Sequence, residues 1–434
     1  MIRQRIQLGL VHVAVAMTLV PINSTLNRVM IKEMAISATL VAVLASLPYL
    51  FSPLQVIIGS FSDRHPLFNR RRTPYILAGL ALCVLGVSLS PYAAFILDQN
   101  LWLGILTGMV VFGMWGMGYN LSAVSYLSLA SELSGDKGRG RTIAVMWFMM
   151  ITGIIVTAIG LSHMVDPYTP QALERAFQAV GVAAFGLGLL GVIGLEPPAN
   201  RIRVTGGENY TWGQMFRTIL KNRQATLFFW YLVVLLAAIL GQDLILEPFG
   251  AQAFGMSVKA TTRITSLWGS CVLVALAIAG MTETRFGKRK VAYWGGWLTL
   301  AGFCWILVSG FVGNLGVFYL GVSLLGIGTG LATVSNLSLM LDMTTPADVG
   351  LYIGAWGMAN ALSRLIGTLL SGAVRDVVTQ VTQMALSGYL VVFTIEASFI
   401  AVSLWMLSRI DVSRFQRQTS TAPLVERAAM AGDM

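Results

Sequence analysis

Apolar runs of about 20 residues or more, each closed by a short polar or glycine- and proline-marked turn, recur along nearly the whole chain. A membrane span needs about 20 mostly apolar residues. Twelve such runs can be drawn, at 8–30, 35–61, 73–93, 101–131, 142–163 and 175–195 in the first half, and at 225–246, 260–282, 291–312, 315–341, 351–374 and 385–407 in the second. Several exceed what a bilayer requires, which predicts tilt or projecting ends. The pattern therefore predicts an all-α integral membrane fold of twelve transmembrane helices.

The runs repeat. Residues 116–133 laid over 326–343 match at eight of eighteen positions at a single offset of 210, and Leu26, Ile31 and Glu33 lie over Leu240, Ile245 and Glu247. A loop after the second run, GSFSDRHPLFNRRRTPY from Gly59 to Tyr75, is echoed after the eighth by GMTETRFGKRK from Gly280 to Lys290. Such self-similarity predicts two pseudo-symmetric six-helix bundles, 1–195 and 225–409, related by an axis along the membrane normal, with a ligand site between them. Between the bundles, 196–224 reads as a linker on one membrane face. Thr211 and Gln214 suggest a capping box there, followed by an amphipathic interfacial helix. The polar stretch 410–434 reads as a flexible tail.

Charge then sets orientation. The chain is 56% hydrophobic and 11% charged, with a net charge of +10, but the basic residues sit in short loops, so they encode topology and not a nucleic-acid partner. Of its 29 lysines and arginines, 22 fall on the face that carries the termini, six on the opposite face, and Arg364 inside a span. Both termini are thus expected in the cytoplasm of a bacterium, with the first run retained as a span. Cys83, Cys271 and Cys304 lie within apolar runs without metal-type spacing and read as buried free thiols.

Catalysis is not expected, because no nucleophile with a base, metal cluster or phosphate-binding glycine loop is present; neither metal nor nucleotide is called for. Ionisable residues near spans carry more weight. Arg28, Glu33, Asp243, Glu247 and Arg263 form a charged cluster at the outer ends of their spans, either an outer gate or proton-linked site or a network that fixes helix ends. Glu132 and Asp342 occupy equivalent places at inner helix ends. With Gly59, Asp63, Arg64, Arg70, Arg71, Arg72, Arg139, Arg141, Gly280 and Arg285 they suggest a conformational latch between the bundles. Arg364 and Glu396 lie at equal counted depth on adjacent antiparallel spans, which predicts a buried ion pair. Trp115, Trp147, Trp268 and Trp356 suggest soft walls for a large apolar ligand, approached by His12 or the amide of Asn120; ordinary packing explains the same residues.

The two basic loops resemble the major facilitator superfamily pattern of glycine, aspartate, a basic residue, a second glycine and a basic cluster. The first copy has Asn69 for the second glycine, and the second has Thr284 for the aspartate. Leu26 to Met34, Ser62 to Ile76 and Leu246 to Gly269 further resemble the PucC/LhaA family, its bacteriochlorophyll-delivery branch. The resemblance implies the major facilitator fold and a non-enzymatic membrane factor that assembles light-harvesting or reaction-centre complexes. It implies bacteriochlorophyll as cargo, with antenna polypeptides or a reaction-centre core and the lipid bilayer as partners, in an inner or intracytoplasmic photosynthetic membrane. A proton-coupled secondary transporter of a small solute is the alternative, and it should carry charged or amide groups at mid-membrane.

Overall fold

The computed structural model describes residues 2–55, 58, 61–62, 65–198, 213, 219–220, 222–344 and 349–417. The linker segment 199–212, most of 214–221, the residues 56–57, 59–60, 63–64 and 345–348, and 418–434 lie outside these. So do the expected capping box, most of the expected interfacial helix, and Gly59, Asp63 and Arg64 of the first basic loop.

The chain is helical throughout its described residues, apart from an isolated bridge between Leu67 and Arg70. We number the helices α1 (Ile2–Glu33), α2 (described as Ala38–Ala45 and Leu47–Leu50), α3 (Thr73–Gln99), α4 (Leu101–Gly135), α5 (Gly140–Met164), α6 (Pro170–Val192), α7 (Arg223–Phe254), α8 (Val258–Phe286), α9 (Lys288–Val312), α10 (Leu315–Asp342), α11 (Val349–Thr382) and α12 (Ala385–Arg409). Ten of them, all but α2 and α11, are long and apolar enough in the described residues to cross a membrane. In α2, Ser46 and Pro48 interrupt the helix because proline cannot donate to the preceding turn. Gly135, with φ +58°, separates α4 from α5.

In the first half α1 packs on α4, α5 and α6, and α3 lies against α4 and α6; in the second, α7 packs on α11 and α12, α8 and α9 on α10. The halves meet where α5 touches α8, where α2 touches α11 and where the far end of α1 touches α7 and α8. This is the major facilitator arrangement. Close crossings within each half rest on glycine: a Cβ on Gly79 or Gly118 would intrude on the opposing backbone of α4 or α3, and Gly295 and Gly328 do the same for α9 and α10.

Two sequence readings change here. Residues 410–417 are docked and not loose: a turn at 412–417 buries Phe415 completely, edge-on to Tyr352 at 5.7 Å. Of the three thiols only Cys83 is buried; Cys304 faces outward and Cys271 is intermediate, as expected for apolar side chains on lipid-facing helix surfaces.

Candidate functional site

At the face carrying the termini, the basic loops build two equivalent structures. Arg72 at the start of α3 pairs with Glu132 of α4 at 2.9 Å, supported by Arg71 at 3.6 Å. Lys288 at the start of α9 pairs with Asp342 of α10 at 2.8 Å. The loops also share a backbone feature. Asn69 stands at φ +58° and Gly287 at φ +87°, so asparagine replaces glycine where a left-handed residue is required and tolerated.

These pairs do not latch the bundles together, because each lies within one half. Physically, each acid faces the basic start of its own neighbouring helix, the shortest route to a partner. Arg285 stacks over Phe286 at 5.4 Å, Arg141 is exposed, and a side chain on Gly280 would meet open space. The side chain of Arg139 lies outside the description. The sequence reading also missed Glu196. Its carboxylate, only 3% exposed, accepts the backbone N–H groups of Arg71 (2.8 Å), Arg72 (2.9 Å) and Thr73 (2.7 Å) and so caps α3 from the end of α6.

Among the described residues, the polar contacts between the halves lie on the opposite face and at the centre. Ser24 donates to Glu247, Thr25 bonds Thr262 at 3.0 Å, and Arg28, ion-paired with Glu33, donates to the Met256 carbonyl at 3.0 Å. Thr265 donates to Glu247 at 2.7 Å. Arg263 meets His163 at 3.1 Å, and Lys259 pairs with Asp166 at 2.6 Å. Three of the five residues of the charged cluster, Arg28, Glu247 and Arg263, thus join the halves on this face, and Glu33 holds Arg28 within α1.

The fifth, Asp243, sits deeper. With Asn23, Asn27, Ala45, Tyr49, Leu240, Leu244, Arg364 and Thr368 it lines a narrow cavity between the halves. Arg364 of α11 donates to Asp243 at 3.4 Å and lies 5.1 Å over the Tyr49 ring of α2. Gln242 donates to the other carboxylate oxygen of Asp243 at 2.6 Å, while the Asn27 Oδ1 is buried without a partner. Asp243 and Tyr49 each lie three helical turns from the far end of their helix, roughly 16 Å, close to the middle of a bilayer core of about 30 Å. Sequence reading set Asp243 near a helix end because the apolar run was closed at Leu246, yet α7 continues through Pro248 to Phe254. The α1 segments Pro21–Leu26 and Val29–Glu33 beside the cavity are π-helical, a distortion frequent at functional sites.

This placement overturns the predicted pairing of Arg364 with Glu396. Glu396 faces Ser371, which donates to it at 3.1 Å, and Ser371 lies two turns beyond Arg364 on α11. Equal residue counts from the termini-side ends did not mean equal depth, because α11 spans 34 residues and α12 only 25.

Comparison with known proteins decides the family. The model of the family described as PUCC protein matches residues 25–415. The chain belongs to the PUCC protein family. Protein PucC of Cereibacter sphaeroides is 30% identical over 93% of this chain and 91% of its own length. A Rhodobacter capsulatus protein named bacteriochlorophyll synthase 44.5 kDa chain is 26% identical over 86% of this chain and 87% of that one. The crystal structure of the nucleoside transporter NupG superposes with a TM-score of 0.73 over 94% of this chain and 98% of that one, at 14% identity, a likeness of fold.

For a PUCC family member, the expected pigment-lining residues matter, and they do not form one wall. Trp115 is fully buried inside the first half, its indole nitrogen 3.4 Å from Thr18. Trp356 packs edge-on to Phe228 inside the second half, and Trp147 is 43% exposed on α5. Trp268 of α8 is intermediate, with its indole nitrogen buried and unpartnered. Asn120 is committed elsewhere: it donates to the Pro48 and Gly116 carbonyls at 2.8 Å and accepts from Gln55, tying α2 to α4. His12 is buried, its ring 5.1 Å from that of Tyr126 and its Nδ1 without a partner.

Proposed function

We propose that this chain is a membrane assembly factor for photosynthetic light-harvesting or reaction-centre complexes, acting by binding and not by catalysis. In this reading it holds bacteriochlorophyll, or hands it to nascent antenna polypeptides, in a bacterial membrane with both termini in the cytoplasm. The observation that carries the proposal is the family match, which runs through both halves and is not confined to the loops. A free chlorin is large and apolar, so its carrier needs apolar walls with few polar anchors. His12, with a buried and unpartnered Nδ1, is the side chain best suited to approach a chlorin magnesium. Deleting the gene in a phototroph should reduce antenna complexes while pigment synthesis continues, and the gently purified protein should absorb in the near infrared. Normal antenna content in the deletion strain would overturn the reading. Reporter fusions beside Asp98 and Asn314 test the orientation, which has the support of the lysine and arginine asymmetry.

A second reading, a proton-coupled carrier of a small solute, is favoured by one observation: the Asp243, Arg364 and Tyr49 group between the halves is the kind of mid-membrane polar site a carrier uses. Saturable solute uptake into liposomes, lost in Asp243→Asn, would support it over the first.

A further inference from the structure

Near its far end, α11 carries Asp376, 9% exposed, whose carboxylate reaches across the interface to the first turn of α2. One oxygen accepts from the Ser37 hydroxyl at 2.6 Å and from the Thr39 N–H and hydroxyl at 2.8 Å each; the other accepts the Ala38 N–H at 3.1 Å. A helix start has N–H groups with no partner of their own, and here a residue of the other half supplies it. Arg375 holds the same carboxylate at 2.8 Å and is itself stacked 5.1 Å over Tyr389 of α12. One turn below, a Cβ on Gly372 would fall 2.6 Å from the Ala38 carbonyl oxygen and 2.8 Å from the Ala42 Cβ. The backbones therefore touch at this crossing, which only glycine permits.

We propose that Asp376 and Gly372 form a clasp on α2 that holds the far face of the molecule shut, and that its release is the step by which the halves open on that face. Two features separate this from a packing contact. The clasp joins the two halves, whereas the ion pairs of Arg72 with Glu132 and Lys288 with Asp342 on the termini face each stay within one half. Ser37 caps only the Leu40 N–H of α2, so opening the far face leaves the Ala38 and Thr39 N–H groups without their acceptor; the closed state gains what a capping acid gives a helix start, a factor of roughly 3 to 30 in population. The inference stands whether the cargo is a pigment or a solute, since it concerns the motion of the halves.

The test uses the full chain in lipid nanodiscs, with the native cysteines replaced and spin labels on Trp102→Cys and Phe311→Cys at the far face. Both positions are strongly exposed and lie in opposite halves. A second label pair, Arg141→Cys with Phe286→Cys, reports the termini face. Asp376→Asn should move population toward longer far-face and shorter termini-face distances by that factor, and Asp376→Glu should retain most of the closed population. Unchanged distance distributions in Asp376→Asn, even with a lowered thermal midpoint, would make the contact a staple and overturn the clasp. Where Asp376→Asn yields no folded protein, Thr39→Val removes one donor only and should give the same shift at smaller size; no shift there overturns the proposal equally.

Discussion

Replacing Glu196 should unlatch the start of α3, and the size of the effect follows from its bonds. The carboxylate accepts three backbone N–H groups at 2.7 to 2.9 Å from a site that is 3% exposed. Hydrogen bonds to a charged group contribute about 1.5 to 3 kcal/mol each, but in Glu196→Ala water can reach part of the freed turn. Capping acids at helix starts contribute about 0.5 to 2 kcal/mol and the helix dipole up to about 2 kcal/mol more. A combined loss of about 3 kcal/mol is consistent with these ranges, which multiplies local opening of α3 by roughly a hundredfold. Cys83, fully buried in α3, is the reporter. With Cys271 and Cys304 replaced, its labelling by a thiol reagent under mild conditions tracks the population of the opened helix. Glu196→Gln, which keeps one acceptor oxygen, should fall between. A labelling rate for Glu196→Ala within threefold of the parent would refute the capping role.

Arg364→Met should destabilise the protein by about 1 to 3 kcal/mol, the loss of one hydrogen bond to the charged, half-buried Asp243, and adding Asp243→Asn should recover much of the loss in thermal midpoint; Glu396→Met in its place should not, and equal rescue by both would contradict the observed pairing. Asn120→Ala should cost about 1 to 3 kcal/mol by leaving the Pro48 carbonyl without its donor, seen as a lower midpoint with the absorption of any retained pigment unchanged; loss of pigment at full stability would restore Asn120 as a ligand. Phe415→Ala should cost about 3 to 5 kcal/mol, the usual range for emptying a buried phenylalanine site. Thermal unfolding that is unaltered would mean the turn at 412–417 is not part of the core.

What the sequence made legible is what a one-dimensional period can encode. Spans follow from apolar run length, and the matches of Glu132 with Asp342 and of Glu33 with Glu247 revealed the internal repeat because each lies in a stretch that aligns at one offset. The equivalent ion pairs of those first two acids then followed from a geometry common to both halves. What stayed hidden is whatever depends on where a helix stops. The apolar run closed at Leu246 but α7 continues through Pro248 to Phe254, and that difference moves Asp243 from the surface to mid-membrane and removes the main objection to a polar site between the halves. The error over Glu396 has a different origin: the termini-side helix ends were placed well, but α11 is longer than α12, so equal counts from those ends reach unequal depths. Asp376 and Glu196 were hidden for a different reason: each caps a helix remote in sequence, Asp376 that begun by Ser37 and Ala38 and Glu196 that begun after Arg72. A local signature can show that a helix start wants an acceptor, as Ser37 does for α2, but not that the acceptor arrives from the other half of the molecule. On the clasp proposed above, Asp376 joins the halves by bonds of the kind a moving interface requires. A few short charge-assisted bonds to a helix start are made or lost over a small displacement, and a packed interface is bistable and not continuously deformable, so together they favour two discrete arrangements over a continuum.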